Sequence, residues 1–573
     1  MKDTLSEELN VKSKQRGPWP GEPGCLALGG IIFLFVLLSM ACGGGTSTAP
    51  PPPSQPAVSL SATSLTFTST AVGVASSAQS VTLTNSGNAA LTISSVTVGG
   101  TDPADFSQTN TCGSSVAAGA NCTVMVVFNP TASGSVTASL SFSDNASGSP
   151  QSVGLSGSIS STSGGPVTIE ASLFGMTLNS ANDYPNIPFG TLGKVPAVGW
   201  WWVQKTQGAA FDFSLFDPYV QDALSHGIDY IYELGNSIPP WASSDPTQPC
   251  NNPYLGGMGC AAPPANISDW DNYVTAVVTH YKGQVKFYEL WNEPNNNLSW
   301  SGTYAQMVSL AKDAYSIAHS IDPNALVLTP ATTGPEAAPA GNPTPSQWLQ
   351  SYLQAGGNLY ADIGTFHGYI ANTSVSPSPE PEQSSSAAGC GVDCYVSIVE
   401  KVNLFRSILN NNGLAQAALF DTEGSWNFRN PPDDDGKVEF LSRWYILQAA
   451  QGVARVVWFL WGVDPADAPP ASLGSSTEPL TPAAIAYEQV YDWLTGATFS
   501  GPCSSSGTVW SCQLTRANNY QGLIAWNTAG SSSFTVPSQY VQYQDLSGNT
   551  TNVSGGTVTI GLMPILLENQ NLP

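Results

Sequence analysis

Between residues 167 and 497, eight short apolar runs alternate with amphipathic helical stretches. The strand-like runs are 174–178, 197–203, 228–235, 285–291, 325–329, 362–367, 417–422 and 455–461. The helical stretches are 215–225, 270–281, 304–320, 347–355, 396–410, 438–451 and 483–494. A strand that is followed by a helix can rejoin the same sheet only in parallel. Eight such strands close on themselves, so the pattern predicts a (β/α)8 TIM barrel. A doubly wound sheet would alternate in the same way. No glycine-rich phosphate fingerprint follows the first strand, however, and the candidate reactive residues lie on widely separated strands.

The text changes on either side of this segment. Residues 57–160 hold short alternating runs with turn residues at regular intervals, which predicts an all-β sandwich. No catalytic cluster appears there, and a spacer or a glycan- or partner-binding module are both open readings. Residues 498–573 return to short strands and predict a small C-terminal β-sandwich packed on the barrel. Two linkers join the parts: a Pro/Gly-rich spacer at 43–56 that includes Pro50-Pro51-Pro52-Pro53, and Ser161–Pro166.

Residues 1–42 read as an export signal or anchor, because a basic leader (Lys2, Lys12, Lys14, Arg16) precedes the apolar run 25–41. Ala41-Cys42 resembles a bacterial lipoprotein cleavage site, which would make Cys42 the lipidated residue, although Ser39 stands where that site usually has Leu. Lipid anchor, uncleaved membrane anchor and plain secretion are the alternatives. All three place the rest of the chain outside the cytoplasm, at a bacterial cell surface or beyond it. The remaining cysteines fall into four close pairs: Cys112 with Cys122, Cys250 with Cys260, Cys390 with Cys394, and Cys503 with Cys512. Disulfides of an oxidising compartment fall in this way. Zinc is the alternative, above all at Cys390 and Cys394, but no His lies near any pair. The net charge of −24 argues against nucleic acid as a partner and suits a neutral polysaccharide.

The chemistry concentrates at two strand ends. Trp291-Asn292-Glu293-Pro294-Asn295 closes the fourth run, and Asp421-Thr422-Glu423-Gly424 closes the seventh. Barrel active sites form at the C-terminal ends of the strands, so both glutamates should face one cleft. Two carboxylates so placed suit cleavage of a β-glycosidic bond with retention, Glu293 as acid/base and Glu423 as nucleophile. Asn292 is placed to hydrogen-bond the sugar's 2-hydroxyl. Trp241 is a candidate sugar-stacking residue, whereas His226, His280 and His319 read as helix-surface residues. Glu233, Glu289 and Asp421 are further carboxylates near the cleft, and Glu289 and Asp421 read as buried partners of the reacting pair.

These motifs, with Phe366-His367-Gly368-Tyr369 and Ile238-Pro239-Pro240-Trp241-Ala242, resemble the clan A glycoside hydrolases, most closely the family 39 group and next the family 5 cellulase-like enzymes. The resemblance covers about residues 170–570. It implies retaining chemistry with no metal or other cofactor, on a poly- or oligosaccharide. It implies that His367 and Tyr369 are the strand-six pair that orients nucleophile and substrate, and that Trp458 or Trp461 floors the first sugar subsite. One departure stands out: many clan members carry an Arg on an early strand beside the nucleophile, and the run at 197–203 has none. In the N-terminal sandwich, Leu83-Thr84-Asn85-Ser86-Gly87 and the run from Cys122 to Pro130 resemble bacterial immunoglobulin-like domains of the abnormal-spindle/Hydin type. Two other functions use the same residues or the same scaffold: a transglycosylase, and a non-catalytic carbohydrate-binding or adhesion protein.

Overall fold

The computed structural model describes residues 54–69, 76, 78–129, 135–159, 168–195, 199–252, 256–334, 343–370, 380–384, 396–426, 431–462 and 472–572. The segment with Cys25–Ala41 and Cys42 lies outside these residues, as does most of the insert 372–393. Among the described residues no helix is long and apolar enough to cross a membrane.

The N-terminal strands form two sheets. One is ordered Val58–Leu60, Gln79–Asn85, Asn121–Phe128, Phe106–Asn110, and the other Ser64–Ser69, Gln151–Ile159, Ser135–Asp144, Leu91–Gly99, Ser115–Val116. Side chains alternate inward and outward along each strand. Val81, Leu83, Val124, Val126, Phe128, Leu140 and Phe142 are all fully buried between the sheets.

Eight parallel strands close the barrel: Phe174–Leu178, Thr191–Leu192, Asp229–Glu233, Phe287–Glu289, Leu326–Leu328, Ile363–His367, Ala418–Gly424 and Arg455–Trp461. Seven of them match the sequence reading. The second does not: it is Thr191–Leu192, and Trp200–Val203 of the expected strand forms one turn of helix. The short strand needs only two residues, because Gly175 and Met176 pair with it on one side and Asp229 and Tyr230 on the other. An extended run is also broken at Gly199, whose φ of 91° lies in the left-handed region and where a Cβ would fall 1.8 Å from the Asn236 carbonyl oxygen. The helical turn buries Trp200 in a stack on Tyr273, with centroids 5.2 Å apart, and leaves Trp201 and Trp202 half-buried.

The barrel interior is layered. Ile231, Phe287, Leu328, Ile363, Phe420 and Val457 form an apolar plug. Because strand side chains repeat every two residues, the next layer up is Glu233, Glu289, Thr365 and Thr422, all buried. A polar layer therefore sits on an apolar one, directly below the strand ends.

Helices pack around the outside with well-made N-termini. Thr303, Thr344 and Ser397 each close a capping box with Gln306, Gln347 and Glu400, at the starts of Tyr304–Ile321, Pro345–Gln354 and Ile398–Asn411. The C-terminal strands form a seven-stranded sheet and a two-stranded one. Their core is continuous with that of the barrel through Cys512, Leu514, Ile524, Trp526 and Leu566. Polar ties add to it: Trp493 Nε1 donates to Gln544 Oε1 (3.1 Å) and Trp526 Nε1 to Glu382 Oε1 (2.7 Å).

Disulfides join Cys112 to Cys122, Cys250 to Cys260 and Cys503 to Cys512. Three of the four expected pairs are therefore bridged. The fourth expected pair, Cys390 with Cys394, lies outside the described residues. The disulfide at Cys394 thus stays an expectation from spacing alone.

Candidate active site

The fourth strand carries its direction past Glu289 to Asn292, which makes an isolated bridge with Ala331. Glu293 then turns sharply, with a φ of 50° and its N–H donating to the Ala331 carbonyl at 2.8 Å. A non-glycine residue in this region costs about 1–3 kcal/mol and persists only where its neighbours fix it. Here Trp291 anchors the turn. It is fully buried, its Nε1 donates to Ser299 O (3.0 Å), and it lies against Gly235, where a Cβ would sit 2.1 Å from the indole. Glu423 is aimed by an irregularity in the seventh strand: Phe366 pairs with Asp421 but His367 pairs with Glu423. Such a bulge re-aims side chains at a sheet edge.

The two carboxylates meet across His367. One oxygen of Glu293, one of Glu423 and a ring nitrogen of His367 all lie within 4.8 Å of one another. The environments of the two acids differ. Glu423 has a donor on each oxygen: Tyr369 Oη at 2.9 Å from Oε1, and Lys194 Nζ at 2.9 Å from Oε2. Glu293 accepts from His367 Nδ1 at 3.0 Å, and burial holds its carboxyl above the usual carboxylate range despite the pull of Lys194.

Lys194 is the residue that the sequence reading misses. It lies two positions past the true second strand, with its side chain 6% exposed, and its ammonium is the hub of the site. Besides Glu423 it reaches His367 Nε2 (3.0 Å), Asn292 Oδ1, Glu233 (3.5 Å) and Glu289 (3.9 Å). Burial alone would strip its proton, but the surrounding carboxylates outweigh that and keep it charged. It stands just past the second strand and beside Glu423, and a second strand drawn too late in the chain passes over it. The available signal is a lone cation in the apolar run from Phe189 to Val195, in a chain with only 16 Lys and Arg.

The ammonium also fixes its neighbours' hydrogen bonds. A lysine can only donate, so His367 Nε2 accepts and Nδ1 carries the proton that it donates to Glu293. Burial and the positive charge of Lys194 push the His367 proton affinity well down, which agrees with a neutral ring. The Asn292 amide likewise turns its oxygen to Lys194, leaving its NH2 group for a ligand.

Asn292, His367 and Tyr369 thus join the two glutamates in one cluster. Trp458 and Trp461 are fully buried and present no open ring face. Trp458 is enclosed by Trp426 and Trp444, and Trp461 turns its Nε1 to Asp183. Trp241 is half-buried and lines a side groove with Phe211, Phe213 and Asn272. Glu289 and Asp421 are fully buried, Asp421 accepting from the Gly368 N–H at 2.7 Å. Glu293, His367 and Glu423 have the spacing of metal ligands. The Lys194 ammonium already contacts two of the three, so a metal ion there would meet a positive charge.

Comparison with known proteins supports the architecture. Residues 56–152 match the family model of the abnormal spindle-like microcephaly-associated, ASPM-SPD-2-Hydin (ASH) domain. A family 39 glycoside hydrolase from the gut symbiont Bacteroides cellulosilyticus WH2 shares the fold, with a TM-score of 0.54 and 18% identity over 88% of this chain and 98% of that one. A glucosidase from Croceicoccus marinus (TM-score 0.46, 13% identity, 71% and 97% covered) and a family 30 xylanase C from Talaromyces cellulolyticus (TM-score 0.45, 12% identity, 70% and 98% covered) also align. Their scores are too low to carry an argument. The search of curated proteins finds no match.

Proposed function

We propose that the chain is a retaining glycoside hydrolase that cleaves β-glycosidic bonds in a poly- or oligosaccharide. The observation that carries this reading is the pair Glu293 and Glu423 at the ends of the fourth and seventh strands, with oxygens within 4.8 Å and opposite surroundings. Retaining enzymes place their carboxyl groups roughly 5–5.5 Å apart, and inverting ones about 6.5–9.5 Å, to admit a water between them. The short spacing supports retention. Glu423, with Tyr369 and Lys194 each against one of its oxygens, attacks the anomeric carbon. Glu293 protonates the departing oxygen as that bond breaks, which leaves a glycosyl ester on Glu423. Glu293 then takes a proton from water, the water oxygen bonds to the anomeric carbon, and the ester bond breaks to release Glu423. The Asn292 NH2 group is free to bind the 2-hydroxyl, a contact that strengthens as positive charge builds on the sugar.

The basic leader and apolar run ahead of the barrel support an extracytoplasmic enzyme, held at the cell surface through Cys42 or the apolar run before it, or secreted. Three disulfides suit that compartment. The test is a polysaccharide and aryl-glycoside panel followed by NMR of the first-formed anomer. A retained anomer, with Glu423→Ala losing several orders of magnitude in rate, is the expected result. An inverted product, or unchanged turnover in Glu423→Ala, would sink the assignment. Glycan binding without turnover across the panel would favour the adhesion reading.

A further inference from the structure

Directly beneath the catalytic pair lies a second pair of carboxyl groups with no role in the reaction as written. Glu233, at the end of the third strand, and Glu289, on the fourth, are register partners in the parallel sheet and point into the same barrel layer. Glu233 is 2% exposed and Glu289 fully buried. Among the described residues only one of their four oxygens has a donor in good hydrogen-bond geometry, the Thr422 hydroxyl on Glu289 Oε1 at 2.7 Å, while the Lys194 ammonium stands 3.5 Å from Glu233 and 3.9 Å from Glu289. Buried carboxylates in folded proteins are ordinarily paired and saturated with donors. These two share a single cation with Glu423. If Glu233, Glu289 and Glu423 were all ionised around Lys194, the layer would hold a net charge of −2, before Glu293 is counted.

We propose that Glu233 and Glu289 hold at least one proton between them at the pH at which the enzyme works, so that the Lys194 charge is committed to the nucleophile Glu423. The pair positions through Lys194 and touches neither sugar nor the reacting atoms. The groups that face it support this. Glu233 looks onto Lys194, Glu289 and Glu423, with the phenols of Tyr230 and Tyr273 nearby. Glu289 looks onto Lys194, Thr422, Glu423 and Glu293. Lys401, the other buried lysine around the site, donates to the carbonyls of Gly334 and Tyr369. Burial outweighs the attraction of Lys194 at both acids. It raises the Glu233 proton affinity well above the usual range and pushes the Glu289 pKa up to about 7.

The inference rests on the glycosidase reading for its meaning, but its decisive readout does not. Carboxylic acid and carboxylate are told apart by the infrared carbonyl stretch of the folded protein. At pH 6, the difference spectra of native protein against Glu233→Gln and against Glu289→Gln should show a protonated-acid band lost in at least one of them. Glu293→Gln identifies the band of the acid/base. Gln has the shape of the neutral acid, so the variant that loses the acid band should also keep kcat/KM at pH 6 within about threefold of native. The urea midpoint gives a second readout. A group whose folded proton affinity is raised contributes stability below its unfolded pKa of about 4.3 and loses it as pH rises through the folded value. Native stability should therefore fall between about pH 5 and 8, and Glu289→Gln should flatten that fall. Carboxylate bands alone for both residues at pH 6 overturn the proposal. So does a loss of more than about tenfold in kcat/KM at pH 6 in the folded variant that has lost the acid band, because a neutral isostere would then have changed the charge at the site. A glycosidase failure with the acid band present would refute the function and leave the proton assignment standing.

Discussion

Replacing Lys194 with Met tests how the site keeps its nucleophile ready. The ammonium stands 2.9 Å from Glu423 Oε2. At an effective dielectric of about 20, that separation corresponds to an attraction of about 6 kcal/mol. The net loss is smaller, because Lys194 is itself desolvated and because water and protons can partly replace it. Taking half of the attraction gives about 3 kcal/mol, or about 100-fold. The sign follows from the chemistry. The cation stands against the attacking oxygen and fixes it, so its removal should lower kcat/KM about 100-fold. Lys194→Arg keeps the charge and should retain most of the rate. The assay is kcat/KM on any aryl glycoside that the native protein turns over, with urea unfolding as a check on the fold. A rate within about threefold of native in folded Lys194→Met would refute the electrostatic reasoning.

Other perturbations separate the remaining contacts. Tyr369→Phe removes the second donor on Glu423, a charge-assisted bond worth about 1.5–3 kcal/mol, so kcat should fall about 10- to 100-fold with little change in the unfolding midpoint. Gly235→Ala would put a methyl group 2.1 Å from the Trp291 ring and 2.4 Å from the Leu290 carbonyl oxygen. The backbone cannot yield cheaply there, so calorimetry should show a destabilisation of about 1–3 kcal/mol, accompanied by lost activity as the turn that aims Glu293 shifts.

Much of the protein is legible in its sequence because the signals are local. Seven of the eight barrel strands are apolar runs bounded by helical periodicity, and Glu293 and Glu423 stand at the ends of two of them. The second strand is not legible. Two residues carry no period, and the apolar run with three consecutive tryptophans downstream mimics a strand until Gly199 turns the chain. That mimicry hides Lys194. The strand-eight tryptophans show a related limit: sequence marks an aromatic at a strand end but not whether its face is open, and Trp458 and Trp461 are both buried.

The sequence by itself determined seven of the eight barrel strands, the flanking sandwiches and the strand-end positions of the two acids, since each depends on residues close together in the chain. Only the tertiary structure decided how those acids differ. The donors on the two Glu423 oxygens come from Lys194 and Tyr369, and Lys194 lies 229 positions before it. The proton affinity of Glu293 depends on burial, and the shared charge of Glu233, Glu289 and Lys194 depends on neighbouring strands facing one barrel layer. Charge interactions fall off with distance through space, not along the chain, so closure of the barrel had to bring these groups together before their protonation could be read.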